Sequence, residues 1–209
     1  MTVTKSDDFT GLSAGSNISG RSLNHALGGS GSETWATTGA VGATGGGAVS
    51  SGNQYSAFTY SANGKARVKF RFSASTNHAV WIRGTGSFYF NSAFMALFVG
   101  TTSLRIREHN SSGGPIGDVA TTTVSALSTG TDYYLEFEGD GTSVYARLFQ
   151  SDGTTQIGST VSYTPGTYPT GDKIGFGNYS AANGTYDDFT FDEPAPPPPP
   201  PPPPPCLLY

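Results

Sequence analysis

Polar and apolar residues alternate without a break from Lys65 to Phe72. Lys65, Arg67, Lys69 and Arg71 fall on one side; Ala66, Val68, Phe70 and Phe72 fall on the other. A repeat of two sends successive side chains to opposite faces of a strand, one face for a core and one for solvent. Ser103 to Arg107 repeats the pattern. Tyr133, Leu135 and Phe137 alternate with Tyr134, Glu136 and Glu138, and Val144, Ala146 and Leu148 share one face of Ser143 to Gln150. Ala93 to Val99 is apolar at every position, which predicts a central strand covered on both sides. No apolar stripe of period 3.6 is present, so no helix longer than a turn or two is predicted.

Turn signals punctuate these runs. Asn63-Gly64, Asp140-Gly141 and Asp152-Gly153 each stand between strand-like segments, and such pairs reach positive φ at low cost. The stretch from Gly39 to Gly52 is so rich in glycine and serine that it predicts a loop. Short strands at this spacing predict an all-β, antiparallel sandwich or barrel. The ends echo each other: Asp7-Asp8-Phe9-Thr10 near the start, Asp187-Asp188-Phe189-Thr190-Phe191 near the close. In a two-sheet sandwich the terminal strands often lie side by side, so these strings are expected to meet.

Composition narrows the class. Charged residues are 12% of the chain and the net charge is −4, which argues against nucleic acid as a partner. Thirteen Phe, eleven Tyr and two Trp argue against disorder. No apolar stretch approaches the ~18 residues needed to span a bilayer, and the N-terminus has no apolar segment of the signal-peptide kind. One cysteine permits no internal disulfide, so packing must supply the stability.

The opening Asp7-Asp8-Phe9-Thr10-Gly11, then Ile18-Ser19-Gly20-Arg21 and Trp35, resembles the start of concanavalin-A-like, laminin-G-like jelly rolls. Thr131 to Gly141 with Val144 to Phe149 is similar to that family's central hairpin, and Tyr186 to Phe191 to its final strand. The resemblance covers roughly residues 5 to 193 and implies an antiparallel two-sheet jelly-roll sandwich for residues 1–193. Domains with this opening are frequent in bacteriophage virion proteins. Members of the wider fold bind glycans, hydrolyse them or mediate protein contacts, and fold alone does not choose among these.

Four groups of residues carry candidate chemistry. Glu136, Glu138 and Asp140 stand at alternate positions, as the carboxyl pair of a retaining glycosidase would. Jelly-roll glucanases carry Glu-x-Asp-x-Glu; here the order is Glu-Phe-Glu-Gly-Asp, so no catalytic residue is assigned. The competing reading is a charge ladder against Lys65, Arg67, Lys69, Arg71, Arg105 and Arg107, six of the chain's eleven basic residues; those six could instead form a docking patch. Trp81, Tyr89 and Asn91 could supply an aromatic platform and an amide for carbohydrate, although Trp81 between Val80 and Ile82 also reads as core. Asp7, Asp8, Asp187, Asp188 and Asp192 offer hard oxygens of the kind Ca2+ prefers, without a loop spacing that specifies it, so no cofactor or metal ligand is assigned. His25, His78 and His109 are far apart and are expected in loops or on the surface.

The last residues have another character. Ten consecutive prolines, Pro196 to Pro205, precede Cys206, Leu207, Leu208 and Tyr209. Such a run forms a polyproline II rod of about 31 Å. Residues 194–209 therefore predict a stiff tether whose apolar tip fills a partner's pocket, with a disordered linker as the plain alternative.

The leading expectation is a non-enzymatic phage virion surface protein, a capsid decoration, head fibre or tail-associated subunit. Its tail would anchor it to other virion proteins, its sandwich would face host glycans, and a homo-oligomer is compatible with that role. It would be made in the host cytoplasm and reside on the virion surface, with no membrane or nucleic-acid partner. The alternative is a carbohydrate-binding lectin module, and a third reading is a glycoside hydrolase.

Overall fold

The computed structural model describes residues 2–38, 41–44, 47–50, 55–60, 63–73, 76–86, 91–179 and 184–194. Tyr89 and the tail positions Pro196, Pro205, Cys206, Leu207, Leu208 and Tyr209 lie outside them. The described residues contain strands and turns and no helix.

Two sheets face each other. The first has the order β13 (Val161–Tyr163), β12 (Val144–Phe149), β11 (Asp132–Gly139), β6 (Gly64–Arg71), β15 (Gly184–Glu193), β4 (Gly47–Ser50), β3 (Val41–Thr44), and β1 (Thr2–Asp7) also pairs with β15. The second has the order β10 (Pro115–Thr123), β9 (Ser103–His109), β8 (Phe94–Val99), β7 (His78–Gly84), β14 (Lys173–Asn178), β5 (Tyr55–Thr59), β2 (Ala36–Thr37). Every pairing between described strands is antiparallel. This is the all-β sandwich the alternation predicts.

The core lies between the sheets. Val68 and Phe70 of β6, Leu135 and Phe137 of β11 and Phe176 of β14 meet Phe98 and Ile106 there. β8 is buried on both faces, as its unbroken apolar run requires. Phe94, Ala96 and Phe98 enter the main core; Met95 and Leu97 enter a second cluster on the far side of the sheet.

The terminal strings meet. β1 pairs with β15, Asp7 standing opposite Phe189. Phe9 and Phe189 both pack on Trp35, at ring-centroid distances of 5.7 and 5.2 Å, and Phe58 and Phe176 each sit 5.3 Å from it. The Asp7 carboxylate is fully buried beside this cluster. It accepts the indole N–H of Trp35 at 2.8 Å, two guanidinium bonds from Arg21 at 2.9 and 3.2 Å, and the backbone N–H of Phe9 at 2.9 Å. A carboxylate can lie in a core only when its lone pairs are met in this way.

Three expectations need correction. The stretch from Gly39 to Gly52 is not all loop, because β3 and β4 form a hairpin with Val41 and Ala43 buried at alternate positions. Asn63-Gly64 does not close a hairpin, since β5 and β6 belong to different sheets. Gly64 has φ +151°, and any side chain there would strike the Asp192 carbonyl. His78 and His109 are not surface residues; both are buried. Asp140-Gly141 does join β11 to β12, with Gly141 at φ +98°.

His78 lies at the start of β7 against the Phe70 ring, centroids 4.1 Å apart, with Thr76 Oγ1 2.6 Å from Nε2. Burial pushes its imidazole down to about 3 from the ordinary 6.5. Below pH 6.5 the unfolded chain takes up a proton that the folded one refuses. Stability from this residue is complete above pH 6.5 and falls as pH drops toward 3, by about 1.4 kcal/mol per unit. Urea unfolding midpoints from pH 7 to pH 4 should therefore fall more steeply for the native chain than for His78→Gln; parallel slopes would contradict the buried neutral state. Asp7→Ala strands the indole and amide donors, and guanidine unfolding should show a loss of about 3 kcal/mol.

Candidate functional site

At one end of the sandwich, where β8 begins and β9 ends, the sheets part around a cleft of about 310 Å3. Four chain segments wall it. Thr85 and Ser92 flank the link between β7 and β8, Glu108 and Asn110 stand at the end of β9, and Thr167 to Thr170 belong to the link between β13 and β14. Phe94 and Tyr168 supply aromatic surface, and Ile116 of β10, 61% exposed, adds an apolar wall.

Each wall is fixed by bonds within and between the loops. Asn110 Oδ1 accepts the N–H groups of Ser112 and Gly114 at 2.9 and 3.0 Å and holds the β9–β10 turn. His109 also lines the cleft. Burial lowers its pKa, so it is neutral at pH 7 and its Nδ1–H donates to the Gly113 carbonyl at 2.9 Å. Thr85 and Asn91 exchange two backbone hydrogen bonds, at 3.0 and 3.1 Å, and Asn91 Nδ2 donates to Ser111 O at 3.0 Å. That bond ties the β7–β8 link to the β9–β10 turn. Arg83 Nε donates to the Pro169 carbonyl at 3.4 Å and tethers the third segment. Gly139 leaves the space that the Tyr168 hydroxyl occupies, because a Cβ there would strike it.

The sequence candidates fall elsewhere or into supporting roles. Trp81 is fully buried and points away from Val80 and Ile82, into the second cluster with Tyr55, Met95 and Leu97. Its ring meets Tyr55 edge-on at 5.9 Å and lies over Gly175, where a Cβ would clash with the indole at 2.8 Å. Asn91 is 7% exposed and carries the structural bond just described. The cleft residues escaped sequence reading because they come from five separate stretches. The polar triplet Glu108-His109-Asn110, breaking the apolar rhythm of β9, was the one local signal.

On the outer face of the first sheet, opposite charges are matched. β11 lies between β6 and β12, so Glu136 stands opposite both Arg67 and Arg147. Arg147 reaches Glu136 at 3.0 Å and Glu138 at 2.5 Å; Lys65 lies 3.6 Å from Glu136, which is 3% exposed. Lys69 pairs with Asp187 and Asp188 at 2.9 and 2.5 Å. On the second sheet Arg105 and Arg107 share Asp118 at 2.7 and 2.6 Å. Burial raises the Asp118 carboxyl, and the two guanidiniums outweigh that effect and hold it low. Arg67 lies 3.9 Å from Glu136 and Arg71 3.4 Å from Asp132, so each of the six basic residues has a carboxylate partner, four in a ladder on the first sheet and two on the second. Asp140 caps its turn, accepting the N–H groups of Thr142 and Ser143 at 2.7 Å.

The aspartates singled out for Ca2+ do not converge. Asp7 is enclosed by its donors, Asp8 accepts from Thr10 and Asn24, Asp187 and Asp188 face Lys69, and Asp192 faces Lys65 at 3.4 Å. No group of three or more metal-ligating side chains occurs among the described residues.

No protein-family model matches the sequence, and no curated protein matches it. Solved structures do. The Ca2+/Man-bound form of the VIP36 exoplasmic/lumenal domain is similar with a TM-score of 0.57 at 11% identity, over 78% of this chain and 85% of that one. The carbohydrate binding module CBM66 from Bacillus subtilis is similar with a TM-score of 0.50 at 10% identity, over 88% and 98%. The legume lectin-like domain from Entamoeba histolytica is similar with a TM-score of 0.54 at 8% identity, over 77% and 90%. The chain has the legume-lectin-like, concanavalin-A-like β-sandwich fold.

Proposed function

We propose that this chain is a carbohydrate-binding module and that the cleft between the β7–β8 link, the end of β9 and the β13–β14 link takes the sugar. The observation that carries the reading is the lining. A carboxylate, an exposed amide and several hydroxyls converge beside aromatic and aliphatic surface in a cleft large enough for one or two sugar rings. A pyranose offers the complement, with hydroxyls at its rim and C–H groups on its faces. The similar structures include a Ca2+/Man-bound domain and a carbohydrate binding module, and they favour the sugar-binding reading over the virion one. The cleft at the opposite end, about 340 Å3 and lined by Tyr133, Gln150 and Gln156, has no charged group.

Binding without catalysis is part of the proposal. Glu136 and Glu138 share Arg147, and neither is positioned as a free acid opposite a free base. Titration calorimetry against mannan, xyloglucan, polygalacturonate and heparin tests the reading. At least one polymer should bind, without release of reducing sugar. Ile116→Ala removes an exposed apolar wall and should weaken that binding five- to tenfold with an unchanged melting temperature. Absence of binding to the whole panel, or indifference to Ile116→Ala, would count against the cleft.

The proline run supports a second, compatible proposal: residues 194–209 mount the module on a larger assembly. Truncation after Glu193 should leave the melting temperature and glycan affinity unchanged while abolishing co-purification with the assembly from the source. Full retention in that assembly would refute the tether.

A further inference from the structure

Among the described residues Glu108 is the one acidic residue lining the cleft, and no lysine or arginine lines it. Its carboxylate takes part in no ion pair or hydrogen bond among the described residues, unlike Glu136, Glu138 and Asp118. The register explains its place. Leu104 and Ile106 precede it on the core-facing side of β9, and it stands opposite Phe94 of β8 and Gly117 of β10. Alternation would bury it, but the strand here runs past the core into the open end of the sandwich. His109, the other ionisable group from this strand in the cleft, is held neutral by burial. Arg83 is not among the lining residues, and its Nε is committed to Pro169.

An unpaired carboxylate in a small cleft does two things. Its two oxygens accept hydrogen bonds from adjacent hydroxyls of one sugar ring, and charge-assisted bonds of this kind are the strong ones. Its negative field, with no cation beside it, repels a ligand that carries its own carboxylate or sulfate, and like-charge juxtaposition is the usual means of rejecting wrong partners.

We propose that Glu108 makes the cleft selective for uncharged glycans with vicinal hydroxyls and excludes uronates and sulfated chains. The inference rests on the glycan reading and names the ligand class for the same site.

The test uses a matched pair: mannan or xyloglucan, whichever binds, and the same polymer after C6 oxidation to uronate. The native chain should bind the neutral form at least tenfold more tightly, and 0.5 M NaCl should narrow the gap. Glu108→Gln removes the charge with little change of shape. It should weaken the neutral polymer about tenfold and bring the ratio near one. Glu108→Asp keeps the charge and should keep the oxidised polymer out. Equal affinity of the native chain for both polymers, or an unchanged ratio in Glu108→Gln, would overturn the inference and leave the glycan reading standing. Preferred binding of the oxidised polymer would overturn the inference in the same way. Binding of polygalacturonate or heparin alone would overturn the inference and leave the glycan reading standing, and absence of binding to the whole panel would remove both.

Discussion

The sandwich depends on one buried anion. The Asp7 carboxylate joins β1, the Arg21 segment and the Trp35 indole, and the Trp35 ring sits among Phe9, Phe58, Phe176 and Phe189. Phe58 and Phe176 come from the second sheet, Phe189 from the first, and Phe9 from the segment after β1. The carboxylate thus fixes the ring that holds both sheets. An isolated buried charge would be costly, and here four hydrogen bonds, two of them from the Arg21 guanidinium, offset that cost. Aromatic edge-to-face contacts add about 0.5–1.5 kcal/mol each beyond their area. In a chain with no internal disulfide, this junction fastens the N-terminal strand to the C-terminal one.

What could be read in the sequence was whatever repeats locally. β6, β9, β11 and β12 alternate, and the structure keeps each of them with the predicted face inward. The match of Glu136 and Glu138 to basic partners also followed from alternation, because a charged face on one strand needs its complement on the next. The hairpin of β3 and β4 was hidden because glycine and serine carry no face, and its pairing is a property of the backbone. β14 was hidden for a related reason. Its Gly175 leaves the space that the Trp81 indole fills, and with Gly177 two residues on it erases the alternation that marks the other strands.

The cleft was illegible for a different reason. Its walls are joined by bonds between residues distant in sequence, Asn91 to Ser111 and Arg83 to Pro169, while His109 to Gly113 closes the β9–β10 turn. Each bond is ordinary on its own, and together they hold three loops in fixed relation on a rigid scaffold. Binding residues on loops above a stiff sheet are the common arrangement in proteins. Asn91 shows the exchange of roles this produces. Its amide suggested a sugar contact, and the structure uses it to set the distance between two loops that line the cleft.

Glu108 breaks the rule that β9 otherwise obeys. The same face carries Leu104 and Ile106, and a third apolar residue there would extend the core by one layer and close the end of the sandwich. A carboxylate keeps that end hydrated. Elsewhere the described acidic residues on strands β11, β10 and β15 each have a partner, a cation for Asp118, Asp132, Glu136, Glu138, Asp187, Asp188 and Asp192 and the Tyr60 hydroxyl for Glu193, so an unanswered one is not the habit of these strands. Local violations of pattern that the fold does not compensate are expected where a protein meets its ligand. By that argument the open end at Glu108 is the part of the molecule shaped for something other than stability, while the charge ladder on the first sheet serves register and solubility.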